Sequence, residues 1–397
     1  MSAVLDSDVV EDRDHLRSKV TNMLTAELSD ADLGAQKGDA GQHADDDLLA
    51  AELDAIRARI EATRGASDAA YVRRTIRVQR ALDLSGRAAL MGGIAFPPLW
   101  VMGVAALGSA KILENMEIGH NVMHGQWDWM RDRSVHSTTW EWDNVCPSSQ
   151  WKHSHNYMHH QWTNVMGRDH DIGYEVLRVT PEQRWSPAFL FQPFVFVGLA
   201  LGFEYGVGLH DLSYRARELK RAPAEEKRAA RNRLLAGVRE VAGKVVRQAR
   251  KDYVLFPLLA LPFGGVPAAA AVAGGALLAN VIRNVWSFAV IFCGHFPDGV
   301  QVFTKAEADS ESRGGWYRRQ ILGSANFTGG RVMDIASGNL NHQIEHHLFP
   351  DLPSNRYAQI APEVQEICER HGLPYNTASF ARQFFSVVRK VVRLSLP

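Results

Sequence analysis

The chain has 397 residues, a length that suggests two or three domains at about 150 residues each. Lysine and arginine together number 44, and so do aspartate and glutamate; this balance disfavours a nucleic-acid-binding protein, which would carry a basic surplus. The three cysteines, Cys146, Cys293 and Cys368, lie far apart. Their number and spacing exclude a disulfide scaffold, a cysteine-based zinc site and a self-contained iron–sulfur cluster, and favour a reducing, cytosol-facing setting.

The N-terminal 47 residues are polar and acidic and contain few aromatic residues. Such a segment cannot bury a core, so we expect residues 1–47 to form a disordered cytosolic tail. The stretch contains no basic-then-apolar signal peptide. Residues 48–81 place apolar side chains at helical spacing between charges, which predicts an amphipathic cytosolic helix.

Three apolar stretches follow, and two of them are long enough to enter a membrane. Residues 88–112 carry one charge and are broken by glycine and proline pairs, which allows one span or a tight hairpin within 84–115. Residues 253–293 carry one charge and a central Pro/Gly break, which predicts two spans joined by a turn. The alternative is a large soluble helical core. The shorter stretch 189–209 is predicted to lie in the membrane interface without crossing.

The segment from Arg215 to Lys251 holds thirteen lysines and arginines. The positive-inside rule places such a segment in the cytoplasm. It could dock an acidic protein partner or anionic lipid, and a solvated helix is the simpler alternative.

Histidine is the unusual residue of this chain, because most of the sixteen histidines fall into four places. Residues i and i+4 of a helix share a face, and three such pairs occur: His120/His124, His155/His159 and His342/His346. The further candidates are His160 and His347, each directly after a pair, and the isolated His295. Two histidine columns on each of two helices, with a pair on a third, can surround two metal ions.

The chemistry of these ligands limits the possible sites. Imidazole binds zinc, copper, iron and nickel, and eight or more imidazoles exceed the needs of one structural zinc ion. Position 121 is asparagine, so the general base of a His-Glu-x-x-His protease is missing. Only one Glu-x-x-His motif, Glu117–His120, is present, whereas a soluble carboxylate-bridged di-iron bundle needs two. No Gly-x-Gly-x-x-Gly or Walker A motif indicates a nucleotide cofactor of the chain's own.

Several neighbouring residues are weaker candidates. Asp169 and Asp171 could orient metal-bound imidazoles through the distal N–H, or belong to a solvated loop. Four tryptophans could line an acyl tunnel or anchor the chain at the membrane interface: Trp127, Trp129, Trp140 and Trp142. The isolated histidines His15, His43 and His371 are expected to be solvated, and His136 and His210 to be ordinary polar residues.

Together these motifs resemble those of the membrane fatty acid desaturase family, whose signature is three histidine boxes. The boxes stand here as His120–His124, His155–His160 and Gln343–His347. A glutamine opens the third box, which is similar to front-end and linoleoyl-CoA-type desaturases. Three longer stretches, 114–129, 284–299 and 348–356, look like those of the mycobacterial stearoyl-CoA Δ9 desaturases.

The resemblance covers residues 48–395 and implies an all-α membrane protein with about four transmembrane helices and a cytosolic helical cap. The cap would hold two iron ions (Fe²⁺) with O₂ as co-substrate, at the inner face of a bacterial cell membrane. The implied iron ligands are His120, His124, His155, His159, His160, His295, His346 and His347. Whether His342 or Gln343 completes the shell is left open by the sequence.

The reaction implied is the insertion of a cis double bond into a long-chain fatty acyl substrate such as stearoyl-CoA. Because the chain shows no flavin or nicotinamide motif, electrons from NAD(P)H would arrive through an external flavin/iron–sulfur reductase or a ferredoxin. A desaturase of other regiochemistry or a related hydroxylase or acetylenase is an alternative within the family. A membrane metal-binding or transport protein is the alternative outside it, although the histidines cluster beyond the apolar stretches and not within them.

Overall fold

The computed structural model describes residues 44–397, so most of the expected tail, with His15 and His43, lies outside the described residues. The described part is mostly helical, which confirms the all-α prediction at this level. In chain order the helices are α1 (44–63), α2 (Ala66–Gly92), α3 (Pro97–Ile112), α4 (Asn121–Met123), α5 (Ser148–Trp151), α6 (Gln192–Leu201), α7 (Phe203–Arg221), α8 (Lys227–Ala249), α9 (Phe256–His295), α10 (Lys305–Ser310), α11 (Arg313–Leu322), α12 (Gly330–Ser337), α13 (Gln343–Leu348), α14 (Tyr357–Arg370) and α15 (Phe380–Leu394).

Shorter elements complete the chain. Three segments form π-helix, a wider helix with i→i+5 hydrogen bonds that occurs often at functional sites: Leu113–His120, Lys152–His159 and Arg250–Leu255. Single 3₁₀ turns lie at Asp128–Met130, Arg133–Val135, Ile172–Glu175, Pro187–Phe191, Leu340–His342 and Ser354–Arg356. Strands β1 (Asn326–Thr328) and β2 (Thr377–Ser379) pair in parallel, with Asn326 opposite Thr377.

The N-terminal helical region differs from its prediction. Helix α1 begins at residue 44, four residues before the expected boundary, and the expected continuous helix over 48–81 is interrupted between α1 and α2 at Arg64 and Gly65. Leu49, Leu53 and Ile56 of α1 are fully buried in a core shared with α11, α13 and α14. This core carries the third histidine box.

Helices α2 and α3 form an antiparallel hairpin whose turn lies at the predicted glycine and proline pairs. The helices touch at Gly86 and Gly103, where an added Cβ would come within 2.7 Å of the backbone nitrogens of Leu107 and Leu90. Small residues let helix backbones approach closely in this way. The apolar stretch 88–112 therefore belongs to a hairpin and not to a single straight helix.

Helix α9 is broken at Gly264 (φ −174°, ψ 21°) and Gly265 (φ 65°, ψ −154°), at the predicted Pro/Gly interruption. Asn280 donates hydrogen bonds to Asp252 and to the Tyr253 hydroxyl on the other side of this break. Residues 28 positions apart would be separated by about 42 Å in a straight helix. The two halves therefore fold back on each other, and they pack against α2 and α3 through an apolar core.

By length and composition, one helical stretch, Lys227–His295, which includes the break at Gly264 and Gly265, contains a segment apolar enough to cross a membrane. Only 17% of that segment is buried inside the protein. Pro187–Leu201 and Phe203–Arg221 would pass the same test together, but they meet at an angle of 106°. The predicted four spans are thus not established by helix length and composition alone.

Candidate metal centre

The first histidine pair lies where α3 continues through the π-helical segment Leu113–His120 into α4. The His120 and His124 rings have centroids 4.6 Å apart, as their i,i+4 spacing predicts. His120 is 5% exposed and therefore faces the protein interior. This segment rises directly from the α2–α3 hairpin, so the hairpin positions the pair.

The second box lies in the π-helical segment Lys152–His159, and the width of this segment aligns three histidines. The His160 N–H donates to the His155 carbonyl, which is the i→i+5 bond of a π-helix. The His155 ring is 5.1 Å from the His159 ring and 4.9 Å from the His160 ring, between centroids. In an α-helix His160, five residues after His155, would point about 140° away from it.

The third box and the isolated His295 pack against the second box. The fully buried His346 and His347 lie on α13, and His295 is the last residue of α9. The His295 centroid is 4.7 Å from that of His159 and 4.9 Å from that of His347. Four separate chain segments therefore converge on one buried volume.

The histidines form two adjoining groups. Within each group the candidate ligand atoms lie within 4.8 Å of one another. The first group is His120, His124, His155 and His346, and the second is His159, His295 and His347. His160 lies between the groups, stacked on His347 at 4.4 Å and 4.7 Å from His124, between centroids. This arrangement offers two neighbouring metal positions.

The bonding state of the rings fits metal ligation. Seven of these histidines carry a buried ring nitrogen that has no hydrogen-bond partner among residues 44–397: His124, His155, His159, His160, His295, His346 and His347. Burying one such nitrogen without a partner costs free energy, and seven in one volume indicate a missing ligand. Neutral imidazole nitrogens suit iron, zinc or copper.

The opposite ring nitrogens are held by fixed acceptors. His159 Nδ1 lies 3.0 Å from Asp169 Oδ2, and His347 Nδ1 lies 2.9 Å from Gln320 Oε1. His120 Nδ1 is 3.1 Å from Asn121 Oδ1, and His346 Nδ1 is 3.3 Å from the Tyr357 hydroxyl. With Nδ1 donating, each ring presents the lone pair of Nε2 to the centre. Contacts of this kind orient metal-bound histidines and raise their basicity.

The electrostatics of the site separate two kinds of histidine. Burial lowers the pKa of His120 to about 3, and it holds the pKa values of His160, His346 and His347 well below the usual range. Burial also acts on His159, but the carboxylates of Asp169 and Asp171 outweigh it and raise its pKa. Most rings are thus neutral and ready to bind a cation.

His342 and Gln343, the two candidates that open the third box, have different surroundings. His342 is 18% exposed and lies 3.5 Å from Asp334, and it belongs to neither histidine group. Gln343 is buried, and its Nε2 lies 3.1 Å from His295 Nε2, while its Oε1 has no partner among the described residues. A Cβ at Gly294 would lie 2.8 Å from the Gln343 Cγ, so the glycine makes room for this side chain.

The weaker candidates also have defined positions. Asp171 lies 3.6 Å from His155, 3.7 Å from His159 and 2.8 Å from His210, so it joins α7 to the second box.

The expectation that His371 is solvated is wrong: its side chain is 3% exposed and lies between Asp45 and Glu52. The sequence around His371 does not indicate this contact, because the two carboxylates belong to α1, more than 300 residues away.

A narrow cavity of about 50 Å³ adjoins the first histidine group. Its lining includes His120, His155, Trp142 and Ile291 and ends of the buried ion pair Glu204–Arg283. Arg283 and Ile291 are eight residues apart on α9, so the cavity follows that helix for about 12 Å. At this volume the cavity has room for only a few methylene groups, and these would lie beside His120 and His155.

Two of the four tryptophans are buried and therefore do not fit the role of interface anchors. Trp127 is fully buried and packs in a core cluster with Val72 and Val122. Trp142 is 6% exposed and contributes to the cavity.

A second cavity, of about 420 Å³, reaches the other histidine group at His295. Its lining includes Thr180, Glu182, Gln301 and Lys390, and is more polar than that of the narrow cavity. The centre therefore has an apolar approach on one side and a polar approach on the other.

Sequence reasoning missed two glutamines that serve the centre. Gln126 Nε2 donates to the Tyr357 hydroxyl at 3.1 Å and to Asn121 Oδ1 at 3.3 Å, the acceptors behind His346 and His120. Gln320 supports His347 of the second group. Both glutamines are 0% exposed. No local pattern marks them, because Gln126 acts on His346 through Tyr357, 231 residues away in sequence, and Gln320 contacts His347, 27 residues away.

Comparison with known proteins agrees with this site. A model of the fatty acid desaturase family matches residues 94–379. An NADPH-dependent stearoyl-CoA 9-desaturase of Mycobacterium tuberculosis (strain ATCC 25618 / H37Rv) is 50% identical over 374 residues, which cover 93% of this chain and 84% of that protein. An sn-1 linoleoyl-lipid 6-desaturase of Synechocystis sp. is 26% identical over 286 residues, which cover 70% of this chain and 75% of that protein.

A shorter similarity is to fatty acid desaturase 3 of Bos taurus, 32% identical over 143 residues, which cover 35% of this chain and 29% of that protein. These relatives confirm the predicted oxidoreductase and give no support to a metal transporter. Together with the two histidine groups they identify the chain: it belongs to the fatty acid desaturase family, whose members are membrane-associated.

Proposed function

We propose that the protein introduces a cis double bond into a long-chain acyl-CoA, with stearoyl-CoA as substrate and Δ9 as position. The support is the 50% identity over 93% of the chain to a relative named for that reaction. The single observation that carries the chemistry is the pair of histidine groups with unpartnered inward nitrogens.

We infer that these groups hold two iron ions. His120, His124, His155 and His346 would hold one ion, and His159, His295 and His347 the other, with His160 between them. When bound, such a pair supplies with O₂ the oxidising power to remove hydrogen from unactivated methylenes, which no side chain can do. Gln343 acts in this proposal through its contact with His295, and His342 is not a ligand.

The chain's own residues bind and orient the substrate. The cavity beside His120 and His155 would exclude water and hold the part of the acyl chain that lies next to the first histidine group. Positioning of this kind decides which methylene lies next to the oxidant. Asp169, Gln320 and Tyr357 hold the Nδ1 protons of their histidines in place, so that the inward nitrogens stay available as ligands.

We propose that four helical segments enter the bilayer: the ends of α2 and α3 that form the hairpin, within residues 84–115, and the two halves of α9, within residues 253–293. Both hairpins begin and end on the side of the histidine cap, which would face the cytoplasm of a bacterial cell. The residues 189–209 would lie in the interface, in accord with the 106° angle between their helices. Residues 48–395 form the desaturase domain in this proposal.

Electrons must come from another protein, because the chain shows no flavin or nicotinamide motif. The relative's name gives NADPH dependence. An external flavin/iron–sulfur reductase or a ferredoxin would carry electrons from NAD(P)H to the centre.

Expression in a desaturase-deficient bacterial host tests the proposal. The wild-type protein should restore Δ9-unsaturated fatty acids, located by mass spectrometry of double-bond derivatives, and a His159→Ala variant expressed at the same level should not. Equal unsaturation in both strains, or a hydroxy acid as the product, would contradict it.

A further inference from the structure

The hairpin of α7 and α8, here called the basic hairpin, is a strongly charged surface that the proposed function leaves unused. Residues 215–231 contain seven lysines and arginines against three glutamates. Five of these cations are exposed and have no acidic partner within residues 44–397: Lys220, Arg221, Lys227, Arg228 and Arg231. Unpaired cations at one end of a helical hairpin create a positive potential there.

The base of the basic hairpin touches the surroundings of the metal centre. His210 of α7 lies 2.8 Å from Asp171, which lies 3.7 Å from the candidate ligand His159. The Tyr214 and His170 rings are 4.9 Å apart between centroids. One layer of side chains therefore separates α7 from the second histidine group.

A cleft of about 440 Å³ opens between α7 and the loop after the second box. Its lining includes Met158, which is adjacent to His159 in sequence, and Tyr214. Arg221 lies at the same cleft without an acidic partner among the described residues. Arg168 and Arg217, also at the cleft, pair with Asp309 and Glu175, and Glu218 and Glu226 complete the charged part of the lining. A protein seated here would approach the centre closely while its charges meet the hairpin cations.

The charged end of the hairpin lies away from the proposed membrane segments along both of its helices. Helix α8 continues through Arg250–Leu255 into α9, and its 23 residues rise by about 34 Å. On α7, Arg221 follows Leu209, the end of the interfacial stretch, by about 18 Å. Both lengths exceed the Debye length of about 8 Å, which favours a partner in solution over lipid headgroups.

We propose that the basic hairpin and its cleft are the docking site for the acidic surface of a soluble electron-donor protein carrying a flavin or iron–sulfur group. This inference rests on the proposed function, which requires an external donor. Opposite charges steer such a partner to the cleft and raise its association rate by tenfold or more at low salt.

The test uses the full-length, iron-loaded protein in detergent with a plant-type [2Fe–2S] ferredoxin, NADPH and ferredoxin reductase as the probe. The hairpin variant combines Arg221→Glu, Arg228→Glu and Arg231→Glu. The control variant combines Arg74→Glu, Arg131→Glu and Arg133→Glu, which changes the net charge equally at exposed positions on another face.

At 50 mM salt the hairpin variant should lose at least tenfold in ferredoxin-driven reduction rate and most of its salt dependence, and the control less than twofold. Reduction by dithionite, which needs no docking, and the iron content should stay within twofold of wild type in both variants. Equal losses in the two variants, or an equal loss with dithionite, would overturn the proposal.

Two further measurements separate the alternatives. If the hairpin variant loses binding to phosphatidylglycerol vesicles but keeps the ferredoxin-driven rate, the surface binds lipid and the docking proposal is wrong. Ferredoxin affinity is also measured directly, without turnover. A wild-type protein that binds ferredoxin with hairpin-dependent affinity yet forms no unsaturated product would refute the proposed function and leave the docking site standing.

Discussion

His159 Nδ1 and Asp169 Oδ2 lie 3.0 Å apart inside the protein, with both side chains almost fully buried. The carboxylate fixes the imidazole with its proton on Nδ1 and its Nε2 toward the second histidine group. We expect Asp169→Asn to weaken iron binding at that group by about 10- to 100-fold, because such partners orient ligands and raise their basicity. Iron titration followed by Mössbauer spectroscopy measures it, with Asp309→Asn, at an exposed aspartate, as the control. Unchanged affinity would show that the contact does not support a ligand.

Removing a ligand histidine should lower iron binding more than removing the carboxylate that orients it. His159→Ala is expected to lower bound iron from two ions per chain to one or fewer after anaerobic reconstitution. His371→Ala, which removes a buried histidine outside both groups, should retain two ions. Elemental analysis of the purified proteins measures the number of iron ions per chain. Full iron content in the His159 variant would remove this residue from the ligand set.

The two buried glutamines predict effects on different iron ions. Gln126→Glu keeps the side-chain shape but removes the donated bonds behind His120 and His346, so it should perturb the first group. Gln320→Glu places a carboxylate behind His347 and should perturb the second. Mössbauer spectra of the reduced proteins should therefore show one altered iron in each variant and two in the double variant. The same iron altered by both changes would contradict the division into two groups.

Filling the narrow cavity should block the substrate without affecting the iron. The Ser287 hydroxyl lines the cavity and has no hydrogen-bond partner within the described residues, so Ser287→Leu adds apolar volume without breaking a bond. Activity on stearoyl-CoA should fall at least tenfold, and iron content should not change. Ser85→Leu, at an exposed position of α2, serves as the matched control. Full activity in the Ser287 variant would place the acyl chain elsewhere.

Lowering the pH should weaken the ion pair between Asp68 of α2 and Arg356, which lies after the third box. Burial would raise the pKa of Asp68, but hydrogen bonds from Arg356, Asn355 and the Gly65 N–H lower it overall. A lowered pKa gives stability above the unfolded value of about 3.9, and this stability is lost as the pH falls through the folded value. Asp68→Asn should thus cost about 1–3 kcal/mol at pH 7 and much less near pH 3. Thermal unfolding at both pH values measures the difference, and an equal cost at both would exclude this origin.

The sequence predicted the ligand pairs because helical spacing is local information. The pairs His120/His124 and His155/His159 and the breaks of both hairpins follow from the order of residues alone, whereas the isolated His295 became a candidate ligand through the resemblance to the desaturase family. The roles of Gln126 and Gln320 do not, because each depends on helices brought together from distant parts of the chain. The placement of His371 between the carboxylates of α1 was missed for the same reason.

The π-helical turn of the second box sets how many of its histidines can reach the centre. In this turn the His160 N–H bonds the His155 carbonyl five residues back. The same residues in a regular α-helix would keep only His155 and His159 of the three on one face, because i,i+4 neighbours share a face and i,i+5 residues do not. His160 would then leave its place between the two histidine groups. The capacity of this box for metal therefore depends on the type of helix as well as on the histidines, and a substitution that favours the regular helix would lower it while every histidine remained.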